Sequence, residues 1–158
     1  MSKKVIIFFA EYGVLFQGGL LIIISLQKHS WVEEMEVFVT GGVVLLLSLT
    51  VAKILKHVFR KYRPGLSSQF FKPRGFYAFP SGHATGLASV SSFITRIDLV
   101  LGFFAWVTAL LVMYARVKAH VHDVYDMVGG VIVGLLVTYY VTPIATQYVL
   151  SFLVPSFL

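Results

Sequence analysis

Two stretches of this chain, Val43–Leu49 and Leu99–Tyr114, pass without one charged side chain, and other apolar runs flank them. About 20 apolar residues in a row is the length that lets an α-helix cross the hydrocarbon core of a bilayer. Composition agrees, with 58% hydrophobic residues, 13% charged residues and a mean hydropathy of +0.85. A soluble domain carries about 25% charged residues. One soluble core could not hide this much apolar surface, so the bilayer must solvate much of it. The expectation is a single all-α domain over residues 1–158, an integral membrane bundle of about five transmembrane helices with its core at 37–142. There is no cysteine, which excludes disulfides and thiolate metal sites.

The first helix is expected over Val5–Leu26, interrupted by Glu11 and Gln17. The basic start Met1–Lys4 and the run behind it lack a small-residue cleavage site, so they read as a membrane helix and not as a signal peptide. After a polar link, Gln27–Glu36, a second helix is expected over Val37–Phe59. A loop from Arg60 to Pro80 follows, rich in Gly, Pro, Ser, aromatics and positive charge. The third helix is expected over Ser81–Arg96, the fourth over Leu99–Tyr114, and the fifth from Val124 past Thr138, with Pro143 kinking or ending it. Ala84, Gly86, Ala88, Ser89, Gly129, Gly130 and Gly134 crowd the third and fifth helices. Small residues let membrane helices approach closely, which predicts that these two form the interior of the bundle.

Alternating spans carry a strong consequence. The end of the second helix, the start of the third, the end of the fourth and the start of the fifth must share one face of the membrane. Three polar clusters lie at those junctions. In the first, Lys56 and Arg63 are spaced seven apart, as on one helix face two turns apart, and Pro64 predicts that Arg63 sits where the helix is ending. In the second, Pro80-Ser81-Gly82-His83, Ser81 is a candidate N-cap, and the helix it opens offers free N–H groups to an anion. In the third, His122 and Asp126 are four apart and face each other if the fifth helix has begun, while Arg116 needs a chain break to join them. A carboxylate beside an imidazole sets its tautomer. Interfacial snorkelling is the plainer explanation for any one of the cations. A metal on His120, His122, Asp123 and Asp126 is disfavoured by spacing and by the neighbouring cations, which suit an anion. The formal net charge of +6, with Lys53, Lys56, Arg60, Lys61, Arg63, Lys72 and Arg74 in one stretch, points the same way. Nucleic acid is excluded as a partner, because so apolar a chain has little soluble surface to present to it.

K-x(6)-R-P at Lys56, Arg63 and Pro64, P-S-G-H at Pro80–His83, and R-x(5)-H-x(3)-D at Arg116, His122 and Asp126 together resemble the signature of the type 2 phosphatidic acid phosphatases. The resemblance implies a membrane lipid phosphatase. His122 would be the nucleophile forming a phosphohistidine, Asp126 its support, and His83 the general acid and then base. Lys56, Arg63 and Arg116, with the backbone N–H groups at Ser81 and Gly82, would bind phosphate. Neither metal nor nucleotide cofactor is implied. One departure stands at Ala115, where the family usually has Ser. The vanadate-dependent haloperoxidases share this pocket but are soluble and larger, against the hydropathy here. A non-catalytic lipid-binding or transport protein would not need every catalytic position intact.

The chain reads as minimal, with one helix ahead of the core four. Compact relatives of this kind include the lipid A 1-phosphatases, and the expected substrate leans that way, with undecaprenyl diphosphate and phosphatidylglycerophosphate as alternatives. Counting Lys3, Lys4 and the loop cations puts the site on the cytoplasmic side. The resemblance to bacterial relatives puts it on the periplasmic face of the inner membrane, and that placement is preferred because several of the cations serve phosphate. His29, His57 and His120 read as structural or interfacial residues, and Glu11 as lining a lipid path or sitting near headgroups. Phe70, Phe71, Phe76, Tyr77 and Phe79 read as an interfacial belt, with a lid as the alternative.

Overall fold

A computed structural model describes residues 3–28, 30–63 and 76–153, with side chains described from Tyr12 and Leu15 onward. Pro64, Phe70, Phe71, Lys72, Arg74 and His29, and the side chain of Glu11, lie outside the described residues. Five helices follow in order: α1 Lys3–Leu26, α2 Trp31–Phe59, α3 Gly82–Ile97, α4 Leu99–Lys118 and α5 Val124–Leu153. Among the described residues, α2, α4 and α5 are each long and apolar enough to cross a membrane. The protein is an all-helical integral membrane bundle.

The helix ends follow local chemistry. α2 begins at Trp31, inside the stretch expected to be a polar link, because Ser30 caps it by accepting a hydrogen bond from the Glu33 N–H. Glu33 and Glu34 in its first turn also complement the helix dipole. Asp98 serves two helices: its N–H closes α3 on the Ile94 carbonyl, and its carboxylate opens α4 by accepting from Leu101. That leaves no room for a side chain at Gly102, where a Cβ would lie 2.6 Å from the Thr95 Cα. Pro143 neither ends nor shortens α5, which continues to Leu153.

α3 is the centre of the bundle, and its residues from Ala84 to Ser91 are all buried. α5 reaches it through glycines: a Cβ on Gly130 would meet the Ser81 carbonyl at 2.7 Å, and one on Gly134 the Thr85 carbonyl at 2.5 Å. The expectation of an interior pair is corrected for α5, which buries one face only. Asp126, Gly130, Gly134 and Thr138 look inward, while Ile132, Leu136, Tyr139 and Tyr140 are exposed as a lipid-facing surface. A long helix at the edge of a bundle needs small residues only along the stripe it packs. At mid-bundle, Gln17 of α1 is buried, its Nε2 donating to Ser91 Oγ of α3 at 2.8 Å and to the Ala105 carbonyl of α4 at 2.9 Å.

Candidate active site

Four helix ends meet at one rim of the bundle. Lys56 stands in the last turn of α2 and lies along Gly82, where a Cβ would sit 4.0 Å from its Cε. Lys56 and Arg63 do not share a helix face, contrary to the spacing argument. α2 stops at Phe59, and Arg60 adopts a left-handed conformation (φ 48°) with its N–H on the Lys56 carbonyl. The next residues are extended and pair with Phe76–Ala78, through Arg63 N to the Phe76 carbonyl (3.2 Å) and Ala78 N to the Lys61 carbonyl (2.7 Å). Arg63 therefore reaches the site from an extended segment. Its Nη1 donates to the Val121 carbonyl at 3.2 Å and contacts His122 Nε2 at 2.9 Å.

His122 belongs to the short turn between α4 and α5 and is only 2% exposed. Its Nδ1 lies 3.2 Å from Asp126 Oδ2, across the first turn of α5. These contacts assign the tautomer. A carboxylate accepts, so Nδ1 carries the hydrogen; a guanidinium only donates, so Nε2 presents its lone pair to Arg63. Burial, and then the charges of Arg63, Lys56 and Arg116, hold the imidazole well below its ordinary pKa. The ring is neutral at pH 7, with Nε2 as the unprotonated nitrogen.

Asp126 is itself held on every side. Its Oδ1 accepts from Lys61 Nζ at 2.8 Å, its Oδ2 from the Asp123 N–H at 3.1 Å, and its carbonyl from the Ser81 N–H at 2.9 Å. Lys61 also bridges to the Asp123 carboxylate, whose Oδ1 in turn accepts from the Asp126 N–H at 2.9 Å. Lys61 was not among the expected site residues. In extended chain, alternate side chains share a side, so Lys61 and Arg63 point together toward His122 and Asp126. The signal was Pro64, which disfavours helix at the residue before it.

The second cluster opens α3. Ser81 is the N-cap, its Oγ accepting from the Ala84 N–H at 3.4 Å, and Gly82 and His83 form the first turn. With the Ser81 N–H committed to Asp126, the N–H groups of Gly82 and His83 remain as the anion-seeking end of the helix. His83 Nε2 lies 2.6 Å from Arg116 Nη2 in the last turn of α4, so this nitrogen also presents a lone pair to a guanidinium. The chain break that Arg116 required is present: α4 ends at Lys118 and His120 turns the chain with φ 54°. His120 is a turn residue, and His57 packs edge-on to Tyr77 with Nδ1 on the Lys53 carbonyl. Phe79 does not cover the site as a lid: it stacks edge-on against Phe59 and fills the space that Gly129 leaves open. Ala115 is fully buried in α4.

The arrangement concentrates Lys56, Arg63, Arg116 and a helix N-terminus around two neutral imidazoles, one of them backed by a carboxylate. This defines a membrane-embedded helical protein with a cluster of cations and a helix N-terminus gathered around a buried histidine. Residues 38–149 match the PAP2 superfamily model, and the chain belongs to that superfamily. It is 30% identical over 117 residues to the lipid A 4′-phosphatase of Porphyromonas gingivalis, a match covering 66% of this chain and 50% of that protein. The chain thus spans about half the length of this curated relative. The crystal structure of a transmembrane PAP2-type phosphatidylglycerolphosphate phosphatase from Bacillus subtilis aligns with a TM-score of 0.65 at 22% identity, over 92% of this chain and 77% of that one. This likeness establishes the shared fold.

Proposed function

We propose that the protein hydrolyses the phosphate of a membrane lipid through a phosphohistidine on His122, without a metal. The observation that carries this reading is the His122 Nε2 lone pair, aimed into a nest of cations while Asp126 holds the opposite nitrogen. A phosphate oxygen takes the place of Nε2 on Arg63 and of His83 Nε2 on Arg116 when the lipid binds. Nε2 of His122 then bonds to phosphorus as the P–O bond to the lipid breaks. His83, protonated once Arg116 has released it, gives its proton to the departing oxygen. Water next attacks phosphorus, loses a proton to His83 and breaks the N–P bond, so the products are a lipid alcohol and inorganic phosphate. Lys56, Arg63, Arg116 and the Gly82 and His83 N–H groups stabilise the charge on the equatorial oxygens; removing one such donor costs about 3–4 kcal/mol of barrier.

The lipid chains have a place beside the chemistry. An apolar cavity of about 440 Å³ opens at Gly82 and His83 and runs between α1, α2 and α3. The substrate class best supported is lipid A. The curated relative favours its 4′-phosphate, the 1-phosphate is the alternative, and both stand ahead of undecaprenyl diphosphate and phosphatidylglycerophosphate. The reacting face is the periplasmic one. The test is phosphate release by purified protein in detergent with chelator present, on lipid A, undecaprenyl diphosphate, phosphatidylglycerophosphate and phosphatidic acid. Release from lipid A, with mass spectrometry locating the lost phosphate and His122→Ala silent, is the expected outcome. Silence on every lipid from folded protein, or turnover by folded His122→Ala, would sink the scheme.

A further inference from the structure

The cavity beside His83 is walled by hydrocarbon from Leu21, Leu45, Leu49, Leu87 and Val90, and among the described residues the polar side chain away from its mouth is Gln17. The amide of Gln17 cannot be turned around. Its Nε2 donates to the Ala105 carbonyl, an acceptor that only a donor can face, and also to Ser91 Oγ. Oε1 is thereby directed away from both partners, and it is buried without a hydrogen bond in a residue 2% exposed. A buried acceptor left unpaired is costly, and natural proteins rarely leave one without a reason. Water is a poor remedy at this depth. Gln17 sits level with Ser91, about 12 Å along α3 from His83 at 1.5 Å per residue. That depth lies inside the hydrocarbon region, where unsatisfied polar groups find no solvent.

We propose that Gln17 is a specificity-determining residue whose Oε1 accepts a hydrogen bond from a hydroxyl on the lipid chain occupying the cavity. The inference rests on the cavity holding the substrate's chain, as in the proposed function, and goes beyond it by naming a chemical feature of that chain. An isoprenoid or unsubstituted acyl chain fills the cavity but leaves Oε1 unpaired. A chain hydroxylated within a few carbons of its polar end fills it and pairs the oxygen. A site built around such a hydrogen bond rejects the analogue that lacks it, because its own polar group is then stranded.

The test separates binding from turnover. Three N-acyl glucosamine phosphates are compared, carrying a 3-hydroxytetradecanoyl chain, its 3-O-methyl ether, or plain tetradecanoyl, each titrated against His122→Ala protein in detergent. The hydroxylated lipid should bind about three- to tenfold more tightly than the other two, which should match each other. Adding Gln17→Leu should bring all three together. The ether arm needs no second substitution, so the outcome stands even if Gln17→Leu does not fold. Equal affinity for all three lipids overturns the proposal. Phosphate release from the same lipids by the unsubstituted protein is measured in parallel. Preference without release would end the phosphatase reading and keep the role of Gln17; release without preference would do the reverse.

Discussion

The two histidines of the site stand in opposite situations. His122 is buried, and its support runs three residues deep, from Asp126 to Lys61 to Asp123, with both carboxylates also tied to backbone N–H groups. His83 is an exposed residue in the first turn of a helix, and among the described residues Arg116 is the side chain hydrogen-bonded to its ring. One half of the site is tied down by hydrogen bonds, and the other presents an exposed ring to what binds. Under the proposed mechanism this is the useful division. A nucleophile must lie in line with phosphorus before the reaction, and about 1 Å of displacement can cost a hundredfold. A general acid must meet a leaving oxygen whose position depends on the lipid attached to it.

The largest effects should come from the fixed half. His122→Ala should lower phosphate release by on the order of 10⁴ or more for every substrate, with the melting temperature in detergent close to that of the unsubstituted protein. Asp126→Asn should cost on the order of 10³–10⁴, since an amide no longer selects the tautomer that leaves Nε2 free. The exposed half should respond differently. His83→Ala should cost about 10²–10⁴ on a lipid alkoxide leaving group, and far less on an aryl phosphate whose phenolate departs without a proton. A loss at His83 that is the same for both leaving groups would remove the distinction between the halves.

The meeting of these halves is legible in the sequence, because alternating spans leave four junctions on one rim and the polar clusters sit at those junctions. What was misjudged is local. Lys56 and Arg63 suit one helix face by count, yet the helix stops at Phe59 and the next residues pair with Phe76–Ala78, a contact between segments that helical periodicity does not contain. The start of α2 was missed although Ser30 and Glu33 have the spacing of an N-terminal cap. The polar look of Gln27–Glu36 outweighed that signal. Pro143 suggested an end or a kink for α5, but within a membrane bundle neighbouring groups can take up a freed carbonyl, and α5 runs on to Leu153. In the sequence Lys61 is one of seven cations between Lys53 and Arg74, with nothing to single it out. Only the break at Arg60 turns it toward Asp126.

Lys61 gives a smaller and more diagnostic prediction. It touches carboxylates and neither imidazole, so it is a positioning residue. Lys61→Met should lower kcat roughly tenfold with little change in KM, as Asp126 loses a partner that fixes its plane. Removing a positive charge next to the His122–Asp126 pair also makes the imidazole easier to protonate. The acid limb of the kcat/KM profile should therefore move to higher pH, and Lys61→Arg should restore it. A uniform loss with an unmoved profile would reduce Lys61 to a structural tie.

The smallest effect is on stability. Burial and the surrounding cations depress the His122 pKa in the folded protein, whereas in the unfolded chain it returns to about 6.5. Above that value both states hold a neutral ring and pH has no leverage through this residue. Below it the unfolded state binds a proton that the folded state refuses, so stability falls with pH, by at most about 1.4 kcal/mol per unit. The neighbouring pair does not confuse the window. Burial raises the Asp123 carboxyl, but the hydrogen bond and charge of Lys61 together with the backbone N–H groups of Asp126 and Tyr125 outweigh it and hold the group below its ordinary value. Burial likewise lowers Lys61, yet the two carboxylates outweigh it and raise the ammonium, so Asp123 and Lys61 both stay charged between pH 5 and 7. Melting temperatures in detergent should fall between pH 7 and 5 more steeply for the unsubstituted protein than for His122→Ala. Parallel curves would mean that His122 accepts its proton in the folded state, and that the hydrogen-bonded half of the site can open.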